Sequence, residues 1–341
     1  MDELLREWAV TWHWTILLLV MAGSVAVLGR GADWLVDEAV AVSLRLRLSR
    51  AVIGATVVSL GTTTPETAVS VLAAVAGNSG LALGNAVGSI ICDTGLILGI
   101  ACVLQPLPIN RPLVQRQGRI QIAAAVLLVL ACIPWSRPAQ MFVQGGQLPQ
   151  LAGGLFLLLL LVYLIWSIRA AGAAQRETQA EATTAAGKHF LLVFASLCGA
   201  IAVVVVSSSF LIATATELAA RLHVPPSIVA ATLVAFGTSL PEFMIAVTAA
   251  RKGHGELAMG NVIGADILNV LFVTGAAAAV TRNGLRVEPH FFQLQFPAML
   301  FVLAVFRLGV WRRDATHLSR RYGMILLGAY VLVTVISYLH R

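Results

Sequence analysis

The sequence predicts an all-α integral membrane protein of about ten transmembrane helices in two inverted five-helix repeats. Three observations predict it. Of 341 residues, 58% are hydrophobic and 11% charged, against roughly 25% charged in a soluble domain. Apolar runs long enough for a hydrocarbon core of about 30 Å, which takes about 20 helical residues, recur along the whole length. A polar hexamer inside one such run, GTTTPE at 61–66, returns as GTSLPE at 237–242.

The runs place spans at roughly 14–39, 50–76, 81–104, 119–135, 150–168, 189–220, 226–251, 256–281, 290–310 and 322–340. The longest polar break, RAAGAAQRETQAEATTAAGK at 169–188, has no apolar face to bury and reads as a cytoplasmic linker. It separates a first repeat, 1–168, from a second, 189–341. The N-terminal MDELLREW is acidic where a signal peptide is basic, and no A-x-A cleavage pattern follows the first run, so that run is expected to be permanent.

The net charge is +7, but in a chain this apolar the placement of the bases matters more than their sum. Sixteen Lys and Arg fall in one set of alternate loops and six in the other, with Arg30 inside the first span. The positive-inside rule then puts both termini on the outer, periplasmic face. The compact chain and short central break point to a prokaryotic inner membrane. Membrane lipid and inorganic cations are the expected partners, with no nucleic acid.

The four cysteines, Cys92, Cys102, Cys132 and Cys198, lie in spans without C-x-x-C or Cys/His spacing. They read as small buried hydrophobes, with neither disulfide nor zinc. No Ser/His/Asp or H-E-x-x-H arrangement appears in the spans, so no enzyme and no resident cofactor is expected. Arg30 and Asp33, three apart on the first helix, read as a self-neutralising pair. The hydroxyls of Ser207, Ser208, Ser209, Thr214 and Thr216, with Glu217, read equally as an ion path or as a polar helix face. His223, His254, His290, His317 and His340 read as solvated loop or end positions.

The hexamer recurs at an offset of 176 residues, and GNAVG at 84 recurs as GNVIG at 260 without a gap. Over 54–99 against 230–275, 18 of 46 positions are identical. Five spans per half is an odd number, so the second copy enters the membrane from the opposite side. Inverted repeats with interrupted helices near the midplane are the signature of secondary transporters.

The chemistry of the hexamers follows from proline. Pro65 and Pro241 lack an N–H, so the carbonyls of Gly61 and Gly237 lose their helical partners. Such carbonyls persist at membrane depth only where protein or a polar cavity surrounds them, and there they serve as cation ligands, as do the hydroxyls of Thr62, Thr63, Thr238 and Ser239. Glu66 and Glu242 follow, each a carboxylate inside a span and costly there. In the next helix Asp93 and Asn269 occupy equivalent positions, with Asn85, Ser89 and Asp93 on one face; Gly84 and Gly88 are expected to allow close packing. Glu66, Asp93, Glu242 and Asn269 together give a formal charge of −3 and an all-oxygen shell. That shell suits a hard cation, calcium rather than magnesium, and the absence of His and Cys disfavours softer metals.

These motifs resemble those of the cation/calcium exchanger superfamily, the prokaryotic Na+/Ca2+ antiporters included, whose two α-repeats carry GTSLPE followed by a GN-x-x-GS helix. The resemblance covers both repeats, about 50–104 and 226–281. It implies one Ca2+ site and several Na+ sites at the midplane, with the first and sixth spans sliding to switch access. It implies Glu66 and Glu242 as Ca2+ ligands, assisted by groups around Thr62 and Thr238. The Na+ ligands would be the carbonyls of Ser59 and Ala235 and the hydroxyls of Thr63, Ser239 and Ser89. Asp93 and Asn269 fall on the paired Asp/Asn positions, and a single Asp there implies potassium independence.

Three departures stand out. Thr64 replaces a Leu, adding a hydroxyl of unknown direction. Ala265 lacks the hydroxyl of the serine expected there, and Asp266 is a new acid beside it. The Asp/Asn order is reversed relative to many prokaryotic members. The function expected is Ca2+/Na+ antiport by alternating access. An H+-coupled Ca2+ or cation antiporter draws on the same acids, and a cation channel is a third reading, disfavoured by the inverted repeats.

Overall fold

The structure is a computed structural model that describes residues 8–46, 48–174, 190–222, 237–311 and 316–339. Ala235, the first part of the seventh predicted span, His223, His340, the N-terminal 1–7 and most of the predicted linker, 175–188, lie outside the described residues.

Among the described residues eleven helices carry the fold: α1 Trp14–Leu46, α2 Arg50–Thr62, α3 Thr64–Val75, α4 Ser79–Leu104, α5 Arg111–Cys132, α6 Gln150–Ala174, α7 Phe190–Arg221, α8 Leu240–Arg251, α9 Gly255–Val280, α10 Phe291–Trp311 and α11 Arg320–Leu339. Among the described residues, seven of these are long and apolar enough to cross a membrane: α1, α4, α6, α7, α9, α10 and α11. The apolar α2 and α3 are shorter and follow one another with only Thr63 between them. Helix α5 starts at Arg111, ahead of the predicted 119, because Pro112 suits a helix start and its early arginines can reach the interface along apolar stems.

Two short antiparallel ribbons tie distant loops together. β1 Leu107–Pro108 pairs with β4 His317–Leu318, and β2 Gly146–Leu148 pairs with β3 Leu285–Val287. Each joins a loop of the first half to one of the second.

Helix α9 lies at the centre, packed on α2, α5 and α8, and nearly all of its first 14 residues are buried. Its glycines explain the fit. A Cβ on Gly260 would run into the Ala51 carbonyl, and one on Gly264 into the Ser59 hydroxyl and the backbone of Ala55. The small-residue packing expected of the first repeat is realised in the second: Gly84 has only the Phe291 ring edge at 3.8 Å, and Gly88 has nothing within 4 Å among the described residues. Helices α1 and α7 form the most extensive helix pair and flank this bundle.

Several expectations change. Asp33 pairs with Lys252, the residue that follows α8, at 3.3 Å, as does Asp37 at 2.8 Å, so Arg30 is not its ion-pair partner. Cys92, Cys102 and Cys132 are buried, but Cys198 is exposed, on the outer face of α7. On the same helix Ser207, Ser208 and Thr214 bond their own upstream carbonyls, and Glu217 pairs with Arg221 at 2.6 Å. These groups are spent within the helix. His254 is half-buried rather than solvated, with an unpartnered Nδ1; burial, then the nearby Arg50, lowers its pKa below the usual value.

Candidate cation site

Both hexamers break their helix at the same residue. Thr63 has φ −80° and ψ 0°, and Ser239 has φ −89° and ψ 10°, the sparsely populated bridge region. Pro65 and Pro241 sit in the first turn of the helix that follows. Glu66 and Glu242 therefore fall in the first turns of α3 and α8, where free N–H groups and the helix dipole favour negative charge. Proline thus does two things: it opens the helix, and it creates a positive helix end beside each acid.

Asp93 and Asn269 are placed by a second irregularity. Asp93 lies in a π-helical turn, Cys92–Ile97, and Asn269 opens another, Asn269–Thr274. Such bulges recur at functional sites because they re-aim side chains within a continuous helix. A third, Gly54–Val58, precedes the first hexamer and directs the Ala55 carbonyl to the Tyr163 hydroxyl at 3.1 Å.

The acids gather in the interior. Glu66, Asp93 and Glu242 are each 1% exposed; Glu66 interacts with the charges of Glu242 and Asp93, and Asp93 with those of Asp266 and Glu242. Among the described residues, neither oxygen of Asp93 or Glu242, nor Glu66 Oε2, nor Asn269 Oδ1, has a hydrogen-bond partner. The hydroxyls of Thr62 and Thr63 lie near enough to Glu242 to interact, as Ser239 does with Asp93, yet none completes a bond of full geometry. Buried polar atoms are normally satisfied, so these bare oxygens are free to take a cation; among the described residues no three Asp, Glu, His or Cys side chains stand close enough to share one metal ion, so hydroxyls, amides and carbonyls would have to complete any shell.

The remaining predicted residues divide. Thr63 Oγ1 is buried and unpartnered. Ser89 and Ser239 hydroxyls meet at 3.4 Å, and Thr238 reaches Asn85 at 3.4 Å, so the two halves touch here. The Ser59 carbonyl already accepts from Thr63 N at 2.8 Å and from the Thr62 hydroxyl at 3.4 Å, and the Ser59 hydroxyl donates to Gly54 O at 2.5 Å. Thr64 is exposed, and its hydroxyl is bonded to the Leu60 carbonyl at 2.9 Å; it points away from the acids. Sequence reasoning missed Thr94 and Gln121, which both donate to Asp266. Gln117 and Gln121, four apart on one face of α5 as it enters its apolar run, were the available signal.

Helix α7 passes over both hexamers. The Gly61 position lies against Ile201 and the Gly237 position against Ile212, eleven residues or about 16 Å apart along the helix.

Comparison with known proteins places this arrangement. The chain is 29% identical to the inner membrane protein YrbG of Escherichia coli over 90% of its length and 92% of that protein's. It is 28% identical to the sodium/calcium exchanger MaX1 of Methanosarcina acetivorans over 95% of its length and 99% of that protein's. In fold it is similar to the sodium-calcium exchanger NCX_Mj, soaked with 2.5 mM Na+ and 1 mM Sr2+, with a TM-score of 0.76 at 24% identity over 95% and 99% of the two chains. The family model described as sodium/calcium exchanger protein matches residues 16–169 and 192–339, a stretch on each side of the central polar break, and the chain belongs to that family.

Proposed function

We propose that this protein is a secondary antiporter that exchanges Ca2+ against Na+ across the membrane by alternating access, with no covalent chemistry. One observation carries the reading: Glu66 and Glu242, from two helices broken at equivalent residues, are each 1% exposed in the core, with Glu66 Oε2 and both Glu242 oxygens unpartnered among the described residues. Glu66, Glu242, Asp93 and Asn269, with the oxygens around Thr62, Thr63, Thr238, Ser239 and Ser89, hold the ions. Ser59 and Ala235 contribute carbonyls. Either one divalent ion or a set of monovalent ions balances the buried charge, and the two exclude each other. A compensated site crosses the occluded state at lower cost than a bare one, because uncompensated buried charge is what costs.

Ten spans in two inverted five-helix repeats, 1–168 and 189–341 about a linker at 169–188, are the topology we adopt. The repeated features at an offset of 176 support it: the helix breaks, the π-helical turns, and left-handed Gly77 and Gly253 with φ of 80° and 78°. Helices α1 and α7 are the moving pair, since α7 lies across both hexamers. Both termini face outward in a prokaryotic inner membrane, with lipid and inorganic cations as partners.

A second reading couples Ca2+ to protons, and a fourth buried carboxylate, Asp266, favours keeping it. Ca2+ uptake into vesicles under an imposed Na+ gradient, compared with an imposed pH gradient, separates the two. Flux driven by the pH gradient alone would sink Na+ coupling.

A further inference from the structure

Asp266 is the buried acid that Ca2+/Na+ exchange at the two glutamates leaves without a task. It lies in α9, three residues before Asn269, and is 2% exposed. Its Oδ2 accepts from the Thr94 hydroxyl and from the Gln121 amide, both at 2.5 Å. Among the described residues its Oδ1 has no partner, and neither do the two oxygens of Asp93 or Oδ1 of Asn269. Thr94, whose hydroxyl binds Asp266, directly follows Asp93 in α4, so Asp93 and Asp266 lie on facing turns of α4 and α9, whereas Glu66 and Glu242 open α3 and α8. None of the ion pairs among the described residues involves Asp93 or Asp266.

We propose that Asp93 and Asp266 form a second cation subsite beside the Glu66–Glu242 pair, taking one monovalent cation of the Na+ class, with the Asn269 carbonyl oxygen as a further ligand. Thr94 and Gln121 are positioning residues: they hold Asp266 by Oδ2 and leave Oδ1 to the ion. Ca2+ requires 6–8 oxygens, and two carboxylates with one amide are too few for it, whereas two adjacent carboxylates in hydrocarbon need a positive charge between them. The subsite adds to the exchange reading by giving Na+ a position of its own, apart from the Ca2+ ligands.

The test uses the purified full chain with Ca2+ chelated, following the rise of Tm with added NaCl at constant ionic strength, since a ligand of the folded state raises Tm in proportion to its binding. Asp266→Asn is expected to raise the Na+ midpoint at least about tenfold, with a smaller shift in the midpoint for Ca2+. Equal Na+ midpoints in the wild type and the variant would overturn the subsite. KCl acting on the wild type as effectively as NaCl would overturn the choice of Na+, and a difference that depends on pH but not on Na+ would assign the pair to a proton instead. Should Asp266→Asn fail to fold, crystals of the wild-type protein without Ca2+, grown in NaCl and compared with crystals in choline chloride, decide: Na+-dependent density between Asp93 and Asp266 supports the subsite, and density confined to the glutamate pair overturns it. Absence of any Ca2+ effect on the wild type would count against the exchange reading, while the Na+ comparison would still stand or fall by itself.

Discussion

Asn85 donates its side-chain amide to the Glu66 backbone carbonyl at 3.2 Å and to the Ser70 hydroxyl at 3.0 Å. The helix that presents the first glutamate is thereby fastened to α4, which presents Asp93. Among the described residues its counterpart Asn261 has neither amide atom partnered. The first hexamer is clamped and the second is not, although the sequences around them are nearly the same.

Asn85→Leu keeps the bulk of the side chain and removes the clamp, leaving the Glu66 carboxylate in place. Loss of buried hydrogen bonds of this kind costs about 1–3 kcal/mol, so half-saturation for Ca2+ should rise by about 5- to 100-fold. Flux titrated against external Ca2+ reads this directly. Asn261→Leu removes no bond in this conformation, and an effect as large as that of Asn85→Leu would show that the asymmetry is unimportant.

Glu66→Gln and Glu242→Gln each keep shape and remove a charge from the paired carboxylates. Removing one partner of a buried charged contact costs about 2–5 kcal/mol, which corresponds to a loss of Ca2+ affinity of at least about 30-fold. Proteoliposome uptake of 45Ca2+ at a low fixed concentration should be abolished while membrane expression is unchanged. Normal uptake in either variant would remove the glutamates from the site.

The hexamers, the offset between them and the acids in the following helices were legible in the sequence because each is a local departure from apolar helix. What joins them was not. Asp266 looked like a stray acid next to Ala265 because Gln121, its partner, comes from a helix 145 residues away. The direction of the Thr64 hydroxyl was not legible, because a threonine in a membrane helix has two outlets, the site or its own upstream carbonyl, and spacing does not choose between them. Gly84 and Gly260 share a motif, yet only Gly260 meets a neighbouring backbone; that difference arises from which helix crosses each glycine, a tertiary fact.

The glycine contrast is testable. Gly260→Ala forces a methyl against the Ala51 carbonyl, and Gly264→Ala forces one against Ala55. Overpacking against backbone costs about 1–3 kcal/mol, and both should lower Tm in detergent. Gly84→Ala, with 3.8 Å to the Phe291 ring, should leave it unchanged or slightly raised, since alanine is the better helix former.

Thr64→Leu should leave Ca2+ affinity and Na+ dependence at their wild-type values, because the hydroxyl is exposed and bonded to the Leu60 carbonyl. A shift of more than about threefold in either midpoint, roughly 0.65 kcal/mol, would mean that Thr64 turns toward the acids in another state of the transport cycle.

Lys252 links α8 to α1 through Asp37 at 2.8 Å and Asp33 at 3.3 Å. Partial burial works against its charge, but hydrogen bonds to Asp37 and Asp33 outweigh that and raise its pKa above 10.5. A lysine whose folded pKa is raised contributes stability that is complete below the unfolded pKa and is lost as pH rises through the folded one. The link is therefore fully made at neutral pH and weakens only above about pH 10.5. Because the Asp33 and Asp37 side chains are 54% and 65% exposed, it is worth no more than about 1 kcal/mol and is screened by salt. Lys252→Met should accordingly change Tm little. Its effect should appear in transport: if α1 moves relative to α8, loosening this link alters the maximal exchange rate at low ionic strength, and the difference from wild type closes as salt is raised. A rate that is identical in the variant at every ionic strength would show that the link does not bear on that motion.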